Sequence, residues 1–491
     1  MNISIIRYLL GKVLKIEGAL LLFPVAAAVF YRESFGWVYF ACGMGCLLLG
    51  TLVSLQKPSS TVFYLKEGCV TTALSWIVLS AFGALPLWIT REIPHYYDSL
   101  FEIISGFTTT GASILTDVEA LSHCSLFWRS FTHWIGGMGV LVFLLAIVPL
   151  SGGSNINLMR AESPGPSVGK LVPRVRHTAR LLYIIYFALT LSEILILLCL
   201  GMPLFDSLCT GFGTAGTGGF GILNSSIASY SIPIQWVVTI FMILFGVNFN
   251  AYYFIVFHQA RKAFQMEEVR WYIAVILASV VVITVNIRHL FASGFEALTA
   301  SAFQVGSIIT TTGFSTVDFN VWPTTSKLIL VILMFCGACA GSTGGGIKVS
   351  RFILLFKTIR KELLSFIHPK SVMKIQMDEK PVEHEVMRST NVYFITFMTI
   401  FALSVFFVSL EGKDLVTTFT AVAATINNIG PGLDLVGPAA NYSHLTIFSK
   451  FVLMFDMLAG RLELFPMLIL FHPTIWREAL VSTGSRIRRK A

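Results

Sequence analysis

The sequence predicts an all-α polytopic membrane protein: four span–pore-helix–filter–span repeats around one pore, with two extra spans in front. Three observations predict it: composition, the placement of basic residues, and four glycine-marked polar hairpins. The 491 residues are 55% hydrophobic and only 12% charged, against about 25% charged in a soluble domain. Mean hydropathy is +0.76. Such a chain is built to be solvated by lipid. The start, MNISIIRYLLGKVLKIEGALLLF, reads as a basic amphipathic approach to an apolar run without a small-residue cleavage site.

Apolar segments lie near 16–31, 36–55, 69–89, 126–149, 181–202, 233–257, 271–290, 325–355, 390–410 and 447–471. With the N-terminus inside, one set of loops carries most of the basic residues, among them Arg174, Arg176, Arg180, Arg360, Lys361, Arg486, Arg488 and Arg489. The other set has few, including Arg91, Arg129, Lys327 and Lys450. This is the positive-inside bias, so both termini are expected in the cytoplasm. The net charge of +9 therefore reports topology. The basic tail GSRIRRKA suits anionic lipid or a protein partner better than nucleic acid.

Four loops on the basic-poor side share a plan. The hairpins are FTTTGAS (107–113), GTAGTGGFG (213–221), ITTTGFST (309–316) and INNIGPGL (426–433). Anchored on Gly111, Gly219, Gly313 and Gly430, they are spaced by 108, 94 and 117 residues, too far apart for a solenoid repeat. A short amphipathic stretch precedes each. Asp98 and Asp206 each lie 13 residues before their glycine and read as helix N-caps. Ten helical residues rise about 15 Å, half a bilayer, so the helix enters from one side and the chain returns. The boundaries are 1–57 for the two leading spans, 58–150, 151–260 and 261–360 for three repeats, 361–388 for a cytoplasmic linker, and 389–491 for the fourth repeat with its basic tail.

Non-helical backbone at membrane depth must be buried in protein or line a wet cavity. Four such strands around one axis supply rings of oxygens to replace a cation's water. The candidate ion ligands are Thr109, Thr110, Gly111, Thr217, Gly218, Gly219, Thr311, Thr312, Gly313, Asn428, Ile429 and Gly430. The second hairpin's register is open between Gly218 and Gly219. The short helices point negative dipole ends at the axis. Acids such as Glu92, Asp98, Glu102, Asp117 and Asp206 are expected to concentrate cations.

The third repeat's second span is interrupted by glycine, each costing about 1 kcal/mol in a helix relative to Ala. Gly341, Ser342, Thr343, Gly344, Gly345, Gly346 and Lys348 are expected to form an intramembrane gating loop below the filter. Arg461, deep in the fourth repeat, is expected to face the pore as a barrier to cations, or to pair with Asp456 or Glu463. His133, in FTHWIGGMG, reads as a packing or capping residue. Cys336 and Cys339 read as packing residues. GTGGFG (216–221) lacks the preceding strand and following acid of a dinucleotide site, and GSTGGGIK (341–348) lacks the Walker ending.

TTTGAS, GTGGFG, TTTGFST, NNIGPGL, HWIGGMG, AGSTGGGIK and AGRLELFP together resemble the Trk, Ktr and HKT superfamily of cation transporters, most closely the TrkH/TrkG branch of bacterial potassium-uptake subunits. The resemblance implies potassium as the transported ion at the filter residues, no further cofactor, and no enzymatic activity. It also implies a homodimer with one pore per protomer, the bacterial cytoplasmic membrane, and a separate cytosolic nucleotide-binding ring of the TrkA or KtrA type. Relatives with serine at the first filter glycine admit sodium more readily; Gly111 therefore favours potassium. A sodium-permeable or ion-coupled symport version of the same architecture stays open, as does, more remotely, a membrane receptor or enzyme.

Overall fold

The computed structural model describes residues 1–58, 64–139, 175–369 and 373–477. Of the basic stretch at 160–180, residues 160–174 lie outside the described residues, as does the tail at 478–491. Among those described, six helices are long and apolar enough to cross a bilayer, seven if one sharply bent pair counts as a single span. A short two-stranded hairpin pairs Gln376–Met377 with Lys380–Pro381.

The first span begins earlier than the sequence predicts. Helix runs from Ile3 to Leu20 and on from Leu22 to Tyr31, because Ile5, Ile6 and Leu9 bury one face of the presumed approach segment. It packs on Gly36–Ser54 through small residues. A methyl group on Gly18 would lie 2.6 Å from Gly43 O, and one on Gly50 would lie 2.6 Å from Gly11 O. Backbones this close gain dispersion where lipid offers no hydrophobic drive.

Four short helices then follow, each after a long one: Tyr96–Phe107, Leu204–Gly216, Gly294–Ile309 and Leu415–Ile426. Their caps differ from the expectation. Asp98 and Asp206 sit in first turns behind His95 and Pro203, where the helix dipole favours an acid. The side-chain caps belong to the other two copies: Ser293 accepts from Glu296 N at 3.1 Å, and Asp414 from Thr417 N at 2.9 Å.

The second helix of three repeats breaks, where the sequence suggests only one break. Ile232–Phe245 and Phe249–Val256 meet at 92°. Thr324–Cys336 and Val349–Ile367 are separated by residues 337–348. Ile447–Arg461 and Phe465–Leu470 flank Glu463 and Leu464, both with left-handed backbone. No single glycine run marks the second and fourth breaks, which is why they are invisible in composition. Lipid-facing surface is apolar, with Leu277, Val281 and Val285 on one face of Glu267–Ile287.

A closed ring of four hairpins above an intramembrane loop

Each short helix ends in the same turn. Thr109, Thr217, Thr311 and Asn428 are left-handed, with φ of 55°, 53°, 60° and 56°. Their N–H groups bond three residues back, to Gly106, Thr214, Ile308 and Thr425, at 3.0–3.1 Å. The next N–H reaches five residues back in every copy: Thr110 to Ser105, Gly218 to Gly213, Thr312 to Ser307 and Ile429 to Ala424, all at 2.8 Å. This is a Schellman cap, normally built on glycine. A β-branched residue at left-handed φ is strained, so three threonines and an asparagine there mark a need for side-chain oxygen. The following glycines, Gly111, Gly219, Gly313 and Gly430, also have positive φ. The shared pattern fixes the second hairpin's register: Thr217 matches Thr109, and Gly219, not Gly218, matches Gly111.

The four turns close on one another. A methyl group on Gly111 would lie 2.0 Å from Gly218 O; on Gly219, 2.0 Å from Thr312 O; on Gly313, 2.1 Å from Ile429 O; on Gly430, 2.7 Å from Thr110 O. The order runs one, two, three, four and back to one. All twelve hairpin residues named from the sequence are thus brought to one ring, with carbonyl oxygens packed against the neighbouring glycine. A cavity of about 210 Å³ opens above it, with all four glycines in its lining.

The ring is braced from behind. Glu102 and Arg129 form a buried ion pair at 2.7 Å. Glu102 also accepts from Ile114 N and Ser113 Oγ, both at 2.9 Å, and Arg129 lies 4.1 Å over the Phe220 ring. One carboxylate therefore ties the first hairpin to the second. Lys450 pairs with Asp98 at 2.7 Å, joining the fourth repeat to the first. Glu92 accepts from Ser122 N at 2.7 Å. Asp206 accepts from the Tyr230 hydroxyl at 2.8 Å. Asp98 and Glu102 are thus paired with basic side chains, whereas Glu92 and Asp206 accept from uncharged donors. Asp117 stays exposed beside the cavity, accepting from Asn224 Nδ2 at 2.8 Å.

His133 does more than pack. Its Nδ1 meets Gly106 O at 2.8 Å and its Nε2 accepts from Phe220 N at 3.2 Å. The neutral imidazole donates at one nitrogen and accepts at the other, linking the first short helix to the second hairpin. Spacing alone carries no sign of this, since the partners lie 27 and 87 residues away. Asn428 departs from the threonine pattern and cross-links: Nδ2 donates to Thr110 Oγ1 and Met457 O, both at 2.9 Å. Two buried oxygens of these turns, Thr109 Oγ1 and Asn428 Oδ1, have no hydrogen-bond partner among the described residues.

Residues 337–348 lie directly under the ring. Gly345 N donates to Thr311 Oγ1 at 2.6 Å, and a methyl on Gly345 would lie 2.4 Å from Asn427 O. A methyl on Gly344 would lie 2.9 Å from Thr310 O. Lys348, buried and left-handed, donates to Gly344 O. Gly341 and Ser342 serve the loop's outer edge: Phe249 N donates to Gly341 O at 3.0 Å, and Ser342 Oγ to Cys339 O at 2.6 Å. Arg461 reaches the loop from the opposite side, donating to Thr343 O at 2.8 Å and to Gly137 O at 2.9 Å. Glu463 pairs with Arg351. The GTGGFG stretch is spent on the ring and GSTGGGIK on the loop.

Comparison with known proteins agrees with this geometry. Residues 36–478 match the TrkH family, described as a cation transport protein. The Trk system potassium uptake protein TrkH of Salmonella typhimurium is 34% identical over 486 residues, covering 97% of this chain and all of that one. TrkG of Escherichia coli strain K12 is 32% identical over 484 residues, covering 97% of this chain and 99% of the relative. The crystal structure of the potassium transporter TrkH from Vibrio parahaemolyticus superposes with a TM-score of 0.87 at 30% identity, covering 97% of this chain and all of the other. A ring of glycine hairpins over the loop at 337–348, in a sequence aligned almost end to end with these proteins, places the chain in the TrkH family of cation transport proteins.

Proposed function

We propose that the chain is the potassium-translocating subunit of a Trk-type uptake system. The observation that carries this reading is the closed ring of four equivalent turns. A potassium ion entering the cavity exchanges water for the carbonyl oxygens around Thr110, Gly111, Gly218, Gly219, Thr312, Gly313, Ile429 and Gly430, and below them for the side-chain oxygens of Thr109, Thr217, Thr311 and Asn428. Thr109 Oγ1, which has no hydrogen-bond partner among the described residues, suits such a ligand. No covalent chemistry is involved. Residues 341–348 act as the gate, and the Arg461 guanidinium adds a positive barrier beneath the filter.

The bias of Lys and Arg supports a multi-pass protein of the bacterial cytoplasmic membrane with both termini inside. A homodimer and a cytosolic nucleotide-binding ring of the TrkA type belong to the same proposal; the basic linker around 357–388 offers a contact surface for that ring. Glycine at 111 favours potassium over sodium.

Rubidium uptake into vesicles holding the purified chain tests the filter. Gly313→Val forces a branched side chain onto Ile429 O. Uptake should fall by more than tenfold, or the potassium preference over sodium should vanish. Unaltered selectivity at full flux would refute the filter assignment. Sodium competing equally with rubidium in the unmodified chain would favour the sodium-permeable reading, and uptake that follows an imposed proton gradient would favour ion coupling.

A further inference from the structure

Glu268 stands in the first turn of Glu267–Ile287 and is 3% exposed. A carboxylate buried so deeply must be satisfied by donors, and it takes them from three different elements. Oε1 accepts from Ala340 N at 2.6 Å and from Ser350 N at 3.2 Å. Oε2 accepts from Asn248 Nδ2 at 3.2 Å. Ala340 immediately precedes the gating loop, and Ser350 lies just past its end. Asn248 sits at the 92° elbow of the second repeat, where its Oδ1 also caps Asn250 N at 3.0 Å. The loop leans on the same elbow through its backbone, Cys339 N to Gly246 O and Phe249 N to Gly341 O, both at 3.0 Å. One carboxylate therefore clasps both ends of the loop and the elbow against which it rests.

We infer that Glu268 is the positioning residue that holds the gating loop in its occluding place under the filter. It touches neither the ring nor the ion path described above; it acts only through the loop. The inference rests on the proposed gate. A carboxylate offers two oxygens to three donors. Glutamine keeps the shape but replaces one acceptor oxygen by an NH2 donor, so at least one N–H in the clasp loses its acceptor. The rest position is weakened, and the freed state gains.

The test uses the full chain in vesicles, with single-channel recording under a potassium gradient. Glu268→Gln should raise the open fraction about tenfold, the equivalent of one charge-assisted hydrogen bond. Unit conductance and the potassium-to-sodium permeability ratio should stay as they are. Asn248→Ala removes one donor of three and should raise the open fraction less. Amide exchange gives a readout independent of any ion: the N–H groups of Ala340 and Ser350 should exchange faster in Glu268→Gln, while those of Thr110 and Thr312 keep their protection. Faster exchange without a change in open fraction would sustain the clasp and refute the gate. A well-folded Glu268→Gln with unaltered exchange and open fraction would overturn the inference. So would a changed permeability ratio, which would move Glu268 from the gate to the filter. If Glu268→Gln does not fold, Asn248→Ala decides on the same readouts.

Discussion

The ring and the loop beneath it are both glycine-rich, yet they differ in how much each depends on single side chains. The ring is closed by backbone against backbone, with no room for a methyl group at any of its four glycines. Its turns are fixed by hydrogen bonds that repeat to within 0.1 Å in all four copies. The loop also has backbone bonds, Cys339 N to Gly246 O and Phe249 N to Gly341 O, but it adds individual side chains that the four-fold turn does not use: Thr311, Glu268 and Arg461, with Lys348 folding back on Gly344. Selection among ions of one charge needs oxygens that do not move when the ion changes. Gating needs contacts that can be broken one at a time. The same residue type, glycine, serves both because what matters is whether the surroundings leave it one conformation or two.

If the ring's rigidity is inherited from its scaffold, cutting the brace should damage it more than any change in the loop. Glu102→Ala leaves Arg129 buried without its carboxylate partner, a loss of ~3–5 kcal/mol. The melting temperature should fall steeply, and surviving protein should lose its potassium preference. A stable, selective Glu102→Ala would mean that the hairpins define themselves without help.

Arg461→Ala should act in the other direction. It removes a donor to Thr343 O and the positive charge under the ring, so flux should rise several-fold with selectivity unchanged. An unaltered flux would strip Arg461 of its barrier role and leave it a strut.

How far the sequence reveals these two regions differs for the same physical reason. The ring is a local feature repeated four times, and repetition is visible: TTTG twice, with two weaker copies at comparable spacing. Even the ambiguous register of GTGGFG yields once the left-handed Thr217 is seen to match Thr109. The loop's glycines are equally legible. Its partners are not. Glu268 carries no signal in the sequence, while His133 reads as a packing or capping residue and Asp98 as a cap, because their roles depend on residues 72, 87 and 352 positions away. The breaks near Gly246 and Glu463 escape notice since they arise from tertiary packing, not from a run of helix-breaking residues.

The finest test compares two threonines in equivalent turns. Thr109 and Thr311 are both left-handed, a conformation that costs an L-residue ~1–2 kcal/mol and glycine little. Thr109 Oγ1 has no partner among the described residues, whereas Thr311 Oγ1 accepts from Gly345 N of the loop. Thr109→Gly should therefore raise stability by up to ~1 kcal/mol, read as a small gain in melting temperature, while half-saturation for potassium rises through the lost oxygen. Thr311→Gly relieves the same strain but releases Gly345, so its melting temperature should barely move and its open fraction should increase. Were the two variants to behave alike, the loop would not be fastened to the third hairpin through that hydroxyl, and the division between a fixed ring and a releasable loop would have to be drawn elsewhere.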